Sequence, residues 1–282
     1  MSGAGGVSRA VERAVAMDAK AVQVFVDQNR QYPRRELPLD ELRRLGALLE
    51  HHELPGYVHV PYLANVATAD ALLRSRSIDM VARALRASAA SGLRGVVVHP
   101  GSHLGRGFEA VREQVVLVLG EAWRDAGATV PLLIENMAGG GGQLAAAIDE
   151  LAWLIHALRD AGVDAAACID FAHAHGAGWD LAKARGVERF ARELRDAGVI
   201  EHVRLVHAND SRAAAGSRRD LHANPGAGTI RAHGFRLLAA VPELARVPWI
   251  LEVPGEERSG PRAEDVRRLR EIVGGDHIRK TP

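Results

Sequence analysis

Residue types that bind metal ions are concentrated where apolar stretches of the sequence end. The densest example runs from Val206 to His222, in the letters V-H-A-N-D-S-R-A-A-A-G-S-R-R-D-L-H. Asp220 and His222 are separated by one residue, so in extended backbone their side chains point to the same face. Convergent imidazole and carboxylate groups are typical zinc ligands. For this stretch alone, a polar loop held by turn hydrogen bonds is an equally good interpretation.

Six consecutive apolar stretches end in a histidine or an acid. One such residue is more often a cap or a solvated surface group than a ligand, but six in succession predict a shared site. A catalytic zinc takes about three protein ligands, so the whole set implies two or three ions. Ions about 3.5–4 Å apart suit phosphoryl displacement, and imidazole-rich ligation favours zinc or manganese over magnesium. The nine candidate ligands are His59, His99, Glu135, Asp170, His173, His207, Asp220, His222 and Glu252, while His103 and His175 are undecided.

The elements that must position these residues alternate along the chain. Alternating apolar strands and amphipathic helices predict parallel strands joined by right-handed crossovers, in an open doubly wound sheet or a closed barrel. Because all the candidate ligands follow strands, the pattern favours an α/β fold of the TIM (β/α)8 barrel type. The predicted strands are Ala21–Val26, Tyr57–Val60, Gly95–His99, Val130–Glu135, Ala165–Asp170, His202–His207 and Trp249–Val253, and the predicted helices span 7–18, 39–51, 68–90, 106–127, 143–160, 180–197, 228–240 and 263–273.

Composition narrows the classes of protein that remain. The chain has 282 residues and 47% hydrophobic content, enough for one large barrel domain over 1–282. The net charge of +1 argues against a surface coated in basic charge. The single cysteine, Cys168, excludes an internal disulfide and an all-cysteine zinc site. With no signal pattern and no apolar run approaching about 18 residues, the sequence predicts a cytoplasmic protein without a membrane span.

Seven motifs, in order and over nearly the whole chain, resemble the endonuclease IV family of apurinic/apyrimidinic endonucleases. Several motifs in the correct order are far more specific than any one alone. They are H-V-P-Y-L-A-N-V-A (His59 to Ala67), V-V-H-P-G-S-H-L (Val97 to Leu104), I-E-N-M-A-G (Ile134 to Gly139), C-I-D-F-A-H-A (Cys168 to Ala174), H-A-N-D-S (His207 to Ser211), G-S-R-R-D-L-H (Gly216 to His222) and L-E-V-P (Leu251 to Pro254).

The resemblance implies a TIM barrel with three zinc ions, manganese being an alternative at one of them. The implied reaction is hydrolysis of the phosphodiester 5′ to an abasic site in duplex DNA, by a hydroxide that bridges two zincs. Glu135 would be the bridging, catalytic carboxylate, and the protein is expected to act as a monomer. The implied ligand sets are His59, His99 and Glu135 for the first ion, Glu135, Asp170, His207 and Glu252 for the second, and His173, Asp220 and His222 for the third.

Four positions depart from the family pattern, and none is a ligand. Phe171-Ala172 replaces the commoner Thr-Cys, Leu221 replaces an arginine, and Arg212 stands where a lysine is usual. The missing arginine puts one phosphate contact in doubt.

Contacts to DNA are also implied by the resemblance. Arg30, Tyr62 and Leu63 match loops that penetrate DNA, and a wedge of this kind fills the gap left by an extruded nucleotide. The alternative is that Tyr62 and Leu63 simply pack on the barrel rim. Arg218 is predicted to contact a phosphate. The segment 225–228, P-G-A-G, at the start of a predicted helix could cradle another, although that pattern alone is weakly specific.

Two other functions compete with this interpretation. A metal-dependent sugar isomerase on a related barrel would use similar ligands around one or two ions, but it has no use for a third site built from His173, Asp220 and His222. A barrel reduced to a binding module would have lost ligands, and none of the nine is missing.

The beginning of the sequence predicts a barrel without its first strand, because the helix at 7–18 has no strand before it. Residues 1–6, M-S-G-A-G-G, resemble the family segment H-V-S-x-A-G-G at the end of that strand, with Met1 at a common valine position. We therefore expect the native protein to begin about 5–10 residues earlier, one strand-length. The intact mass of the protein from its native source measures this, and a mass that begins at Met1 would contradict it.

Overall fold

A parallel sheet of seven strands forms the centre of the part of the chain that the structure describes. This computed structural model describes residues 6–27, 32, 36–254 and 260–274. The sheet contains β1 (Val22–Val24), β2 (Gly56–His59), β3 (Val96–Val98), β4 (Leu132–Glu135), β5 (Ala165–Asp170), β6 (Val203–His207) and β9 (Trp249–Ile250), in that spatial order. All six neighbouring pairs are parallel. An antiparallel pair, β7 (Asp210–Ser211) and β8 (His222–Ala223), forms a separate hairpin.

Helices connect consecutive strands and cover the outside of the sheet. In α2, for example, Leu42, Leu45 and Leu49 are buried and lie three and four residues apart, on one face. None of the helices in the described ranges is both long and apolar enough to span a membrane. The helices are α1 (Arg9–Ala16), α2 (Leu39–His51), α3 (Ala71–Ser91), α4 (Arg112–Asp125), α5 (Ile148–Asp160), α6 (Phe171–Ala177), α7 (Ala184–Asp196), α8 (Arg231–Ala239), α9 (Pro242–Ala245) and α10 (Ala263–Val273).

The strands are buried on both faces, because alternate side chains enter two different apolar layers. In β3, Val97 points into the sheet interior, whereas Val96 and Val98 pack with the helices. Nearly every strand supplies the interior layer, which contains Tyr57, Val97, Leu133, Ala166, Cys168, Leu205 and Ile250. The chain order of parallel strands, the inner layer and the outer helices confirm the predicted TIM-barrel class, with seven strands in place of eight among the described residues.

Several predicted boundaries were wrong because local backbone geometry overrides the apolar pattern. The predicted helix at 143–160 begins only at Ile148, since Ala145 has a φ of 58° and Gly140–Gly142 forms a separate 3-10 turn. The helix predicted at 106–127 begins at Arg112. The sequence did not predict α6, α9 or the β7–β8 hairpin.

An open seam separates β1 from β9. Among the described residues these two strands pair with β2 and β6 but not with each other. A cavity of about 90 Å³ lies between them, lined by Ala21 and Trp249 among others. At its edge Arg270 of α10 donates from Nη1 to Asp18 Oδ2 at 2.5 Å. Among the described residues, the structure therefore confirms the seven predicted strands. Residues 1–5, which belong to the motif that suggested an earlier start, lie outside the described residues.

Candidate metal centre

The predicted ligands all lie at the carboxyl end of the parallel sheet, where barrel enzymes place their catalytic groups. Four of them are the last residues of β2, β4, β5 and β6: His59, Glu135, Asp170 and His207. His99 follows β3 by one residue and Glu252 follows β9 by two. The sheet therefore brings six side chains from six different strands to one rim.

Glu135 is fully buried at the centre of this group. One carboxylate oxygen, Oε2, lies 3.0 Å from His59 Nε2 and 3.1 Å from His99 Nε2. The other, Oε1, lies 3.1 Å from His207 Nδ1 and 3.2 Å from His173 Nδ1. Each oxygen thus faces a different pair of imidazoles, so this carboxylate is placed to join two neighbouring ion sites.

A second group forms on the Oε1 side of Glu135. His207 Nδ1 lies 3.0 Å from Glu252 Oε2 and 3.8 Å from Asp170 Oδ2. One ligand atom from each of these four residues lies within 4.8 Å of the others. One imidazole and three carboxylates around one point form a donor set suited to a divalent cation.

A third group lies beside the second, and two elements that the sequence did not predict build it. Asp170 caps α6 by accepting a hydrogen bond from His173 N at 2.8 Å, which places that imidazole three residues later over the sheet. The β7–β8 hairpin returns His222 to the rim. Asp220 then lies between the two histidines, with Oδ2 3.2 Å from His173 Nε2 and Oδ1 3.0 Å from His222 Nε2.

Backbone carbonyls fix the orientation of three of these imidazoles. The carbonyl oxygens of Val60, Asn136 and Glu252 lie 2.6, 2.9 and 3.0 Å from Nδ1 of His59, His173 and His222. A carbonyl can only accept, so Nδ1 carries a proton in each ring and Nε2 is the nitrogen left to bind an ion. This arrangement is usual for metal-ligating histidines.

The Nε2 atoms of four imidazoles at the centre face carboxylate oxygens and not donors. Nε2 of His99, His173 and His222 and Oε2 of Glu252 are buried and form no hydrogen bond with any described residue. Buried polar atoms are nearly always satisfied, and each facing pair of a nitrogen and an oxygen needs a cation between the two atoms, either a proton or a metal ion. The residues present therefore fit divalent metal ions.

The charges at the centre support the same conclusion. Burial raises the pKa of Glu135, but the neighbouring His207 and His99 lower it by more, so that its pKa lies well below the usual value. Burial lowers the pKa of His222, but Asp170 and Asp220 raise it, with a net increase to about 9. The acids are thus anionic and attract positive charge. A divalent cation can replace the imidazole protons, because a ligating histidine is neutral.

Cys168 lies close to this centre but does not add a metal ligand to it. Its sulfur lies near the ligand atoms of Glu135 and His207. Burial raises the pKa of the thiol to about 12, so the group is protonated at neutral pH. A thiol is a poor metal ligand in that form.

Two amide side chains that the sequence reasoning missed hold the ligands in place. Gln23 of β1 accepts at Oε1 from His207 Nε2 at 2.9 Å and donates from Nε2 to Glu252 Oε1 at 2.6 Å. Asn209 donates to Asp170 Oδ2 at 2.6 Å and accepts from Glu252 N at 2.8 Å. Two features of the sequence could have indicated these roles. Gln23 is the one polar residue within the apolar strand V-Q-V, and Asn209 follows the candidate ligand His207 by two residues.

The predicted DNA contacts differ in exposure. Tyr62 is 48% exposed, and its ring centroid lies 4.6 Å from that of His99, so it forms one wall of the centre. Leu63 is half-buried and packs against the core, as the rim-packing alternative predicted. Arg218 is exposed, whereas Arg30 lies outside the described residues. Leu104, which the sequence reasoning did not single out, is 64% exposed in a neighbouring rim loop.

The two undecided histidines have local structural contacts. His103 Nδ1 accepts from the backbone N–H groups of Gly105 and Gly107, both at 3.1 Å, and this closes the loop that contains Leu104. His175 Nδ1 accepts from Leu181 N at 3.3 Å. Both imidazoles therefore stabilise loops.

The possible phosphate cradle at 225–228 is already occupied by a side chain. Asp210 Oδ2 accepts from the backbone N–H groups of Gly226 and Gly228 at 3.0 Å each, and its Oδ1 accepts from Ile230 N at 3.0 Å. The helix α8 begins only at Arg231. The prediction of a phosphate site here was wrong, because a buried carboxylate takes the place of the anion.

Known proteins share both the sequence and the fold of this chain. Residues 11–272 match a family described as "Xylose isomerase-like TIM barrel". A probable endonuclease 4 from Methanoculleus marisnigri is 34% identical over 273 residues, which cover 96% of each chain. Another, from Oleidesulfovibrio alaskensis, is 39% identical over 279 residues, 95% of this chain and 93% of the relative. The crystal structure of endonuclease IV from Thermus thermophilus superposes with a TM-score of 0.83, at 34% identity and 96% coverage of both chains. The chain therefore belongs to the endonuclease IV family.

Proposed function

We propose that this protein is a monomeric, cytoplasmic DNA repair endonuclease that hydrolyses the phosphodiester 5′ to an abasic site in duplex DNA, with three zinc ions. The observation that carries the proposal is the buried centre in which imidazole nitrogens face carboxylates at three adjoining positions. Family membership supports the choice of DNA as substrate.

Each ion would be held by one of the three groups. His59, His99 and Glu135 would hold the first, and Glu135 with Asp170, His207 and Glu252 the second. His173, Asp220 and His222 would hold the third, with Asp170 Oδ2 close by, 3.7 Å from His222 Nε2. Zinc suits these sets of imidazoles and carboxylates, and manganese is an alternative at one of them. Bound ions of this kind supply water that ionises near neutral pH and neutralise charge on a phosphate.

The protein's own residues prepare the centre and its approach. The carbonyl contacts of His59, His173 and His222 orient each imidazole so that Nε2, the atom that would bind an ion, faces the centre. Around Asp220, the exposed Arg212, Arg218 and Arg219 give the loop positive charge that suits a phosphate backbone. Tyr62 provides an aromatic surface next to His99 on which an unstacked group can pack.

A sugar isomerase is the rival that shares this barrel. It needs one or two ions, so the third group at Asp220 favours the endonuclease. The decisive experiment incubates the metal-loaded protein with a duplex that carries one abasic-site analogue and, separately, with ketoses. Strand incision 5′ to the analogue is expected, together with no change in the sugars. Sugar interconversion without incision would establish the rival.

Tyr62→Ala is expected to weaken binding to abasic duplex by about tenfold or more, while binding to undamaged duplex changes little. Stacking on an aromatic ring contributes about 1–3 kcal/mol, and this contribution is available only when a nucleotide is extruded. Arg30→Ala is expected to behave in the same way. Fluorescence anisotropy measures the affinity of the metal-loaded protein for each duplex. The abasic duplex carries an analogue that resists incision.

Arg218→Ala is the matched control for this wedge prediction. A phosphate contact is made to both duplexes, so its loss should weaken both about equally and reduce the salt-dependence slope by about one. If all three variants lose the same affinity on both duplexes, the assignment of Tyr62 and Arg30 to a wedge is wrong.

A further inference from the structure

Gln23 is a buried amide in the middle of β1, between two valines. Val22 and Val24 pack with the helices, so the alternating side chain of Gln23 points to the opposite face, into the sheet interior. Gln23 is also in register with Tyr57, which belongs to the interior layer. The residue is 3% exposed, and a buried polar group is costly unless it forms hydrogen bonds. Its partners therefore explain why a polar side chain lies here.

The two ends of this amide contact two different candidate ligands of the second ion. Nε2 of Gln23 donates to Glu252 Oε1 at 2.6 Å, and Oε1 of Gln23 lies 2.9 Å from His207 Nε2. An ionised carboxylate can only accept, so Glu252 determines which end of the amide faces it. The amide oxygen must then face His207. Because an amide oxygen also only accepts, Nε2 of this imidazole carries a proton.

This contact gives His207 the opposite orientation to other imidazoles of the centre. Backbone carbonyls leave Nε2 to bind an ion in the imidazoles of His59, His173 and His222. His207 instead directs Nδ1 to Glu135 Oε1 at 3.1 Å and to Glu252 Oε2 at 3.0 Å. The hydrogen bond at one ring nitrogen decides which nitrogen can bind a metal, so the contact with Gln23 leaves Nδ1 for the second ion.

The carboxylate of Glu252 is held in the same selective way. Its Oε1 accepts from Gln23, whereas its Oε2 is buried and forms no hydrogen bond with any described residue. Asn209 accepts from the backbone N–H of Glu252 at 2.8 Å, which fixes where this side chain starts. One carboxylate oxygen is thus occupied by the protein, and the other lies beside Nδ1 of His207.

We propose that Gln23 is a positioning residue that selects the ligand atoms of the second ion, Nδ1 of His207 and Oε2 of Glu252. It holds both atoms in place before an ion arrives, so less conformational freedom is lost on binding. This inference rests on the proposed function, because it assigns a role at one of the three proposed ion sites.

The first test is the zinc affinity of Gln23→Leu, which keeps the approximate size of the side chain but removes both hydrogen bonds. Loss of an outer hydrogen-bond partner weakens metal binding about 10–100-fold. We expect a fall of that size at one site and unchanged affinity at the other two, measured by titration against a fluorescent zinc chelator. Equal losses at all three sites would indicate a general effect on the barrel and would contradict the proposal.

Gln114→Leu is the matched control. Gln114 Nε2 donates to the carbonyl oxygens of Val66 and Thr68 at 3.0 and 2.8 Å, and neither is a candidate ligand. This variant therefore also loses two amide hydrogen bonds, but it should leave every zinc affinity unchanged.

The second test identifies the nitrogen that binds the ion, which a general loosening of the barrel would not change. In protein loaded with an NMR-active cadmium isotope and labelled in its histidine rings with an NMR-active nitrogen isotope, scalar coupling between the two nuclei marks each ligating nitrogen. His207 should couple through Nδ1, and the other ligating imidazoles through Nε2. In Gln23→Leu the Nδ1 coupling should disappear or move to Nε2. Gln23→Glu keeps an acceptor for His207 Nε2 and should retain the Nδ1 coupling.

The outcomes separate this inference from the proposed function. If the protein binds ions but does not incise abasic duplex, the function is wrong, and the cadmium couplings still test the role of Gln23. If the unmodified protein shows no Nδ1 coupling, or if Gln23→Leu keeps both this coupling and all its zinc affinities, Gln23 does not select the ligand atoms.

Discussion

Glu135→Gln is expected to abolish incision of abasic duplex while the barrel stays folded. Glutamine keeps the size and shape of the side chain, so the four imidazoles around it can still pack. It loses the negative charge and turns one oxygen into a donor, which removes the group that joins the first and second ion sites. Metal ions contribute several kcal/mol to stabilisation of developing charge, which corresponds to about 10³-fold or more in kcat.

Glu150→Gln is the control for this substitution. Glu150 is a partly buried carboxylate of α5 that takes no part in the three groups. Incision should be unchanged in this variant, and circular dichroism should show native folding in both. Incision by Glu135→Gln at the unmodified rate would exclude the bridging role and the proposed mechanism with it.

Chelation is expected to remove incision entirely, and zinc to restore it. Elemental analysis of the loaded protein should find two to three zinc ions per chain, with manganese replacing part of the zinc, because the donors form three groups. Asp220→Asn should lower the count by about one, since Asp220 touches only His173 and His222 within the centre. Protein that incises normally after exhaustive chelation would contradict the proposal. A count of one ion would favour the isomerase.

The positions of the ligands could be predicted from the sequence because strand ends are a local property. A short apolar run followed by a histidine or an acid fixes both the strand and the direction of the side chain, as at His59 and Glu135. The closed arrangement of parallel strands then makes any such residues neighbours, whatever their separation along the chain. The barrel class followed from the same repeated pattern.

The supporting contacts could not be predicted in this way, because they join residues far apart without any repeated pattern. Gln23 binds His207 and Glu252, which are 184 and 229 residues away along the chain. Asp210 lies three residues after His207 in the same polar stretch, and its carboxylate organises the turn at Gly226 and Gly228. Only the packed structure decides whether such an acid faces an ion or backbone amides.

If ions occupy the centre as proposed, the seam between β1 and β9 links metal binding to closure of the barrel. Gln23 on one side of the seam binds Glu252 on the other, so ligand side chains connect two strands that no backbone ladder joins among the described residues. The coupling is reciprocal: if closure of the barrel strengthens binding of an ion, binding of the ion stabilises the closed barrel by the same free energy. Hydrogen exchange at the amides of β1 and β9 would then require a local opening of the barrel. The free energy of that opening would rise with metal concentration. Metal starvation would expose two strand edges, which are templates for aggregation, and so shorten the lifetime of the protein in addition to halting its chemistry.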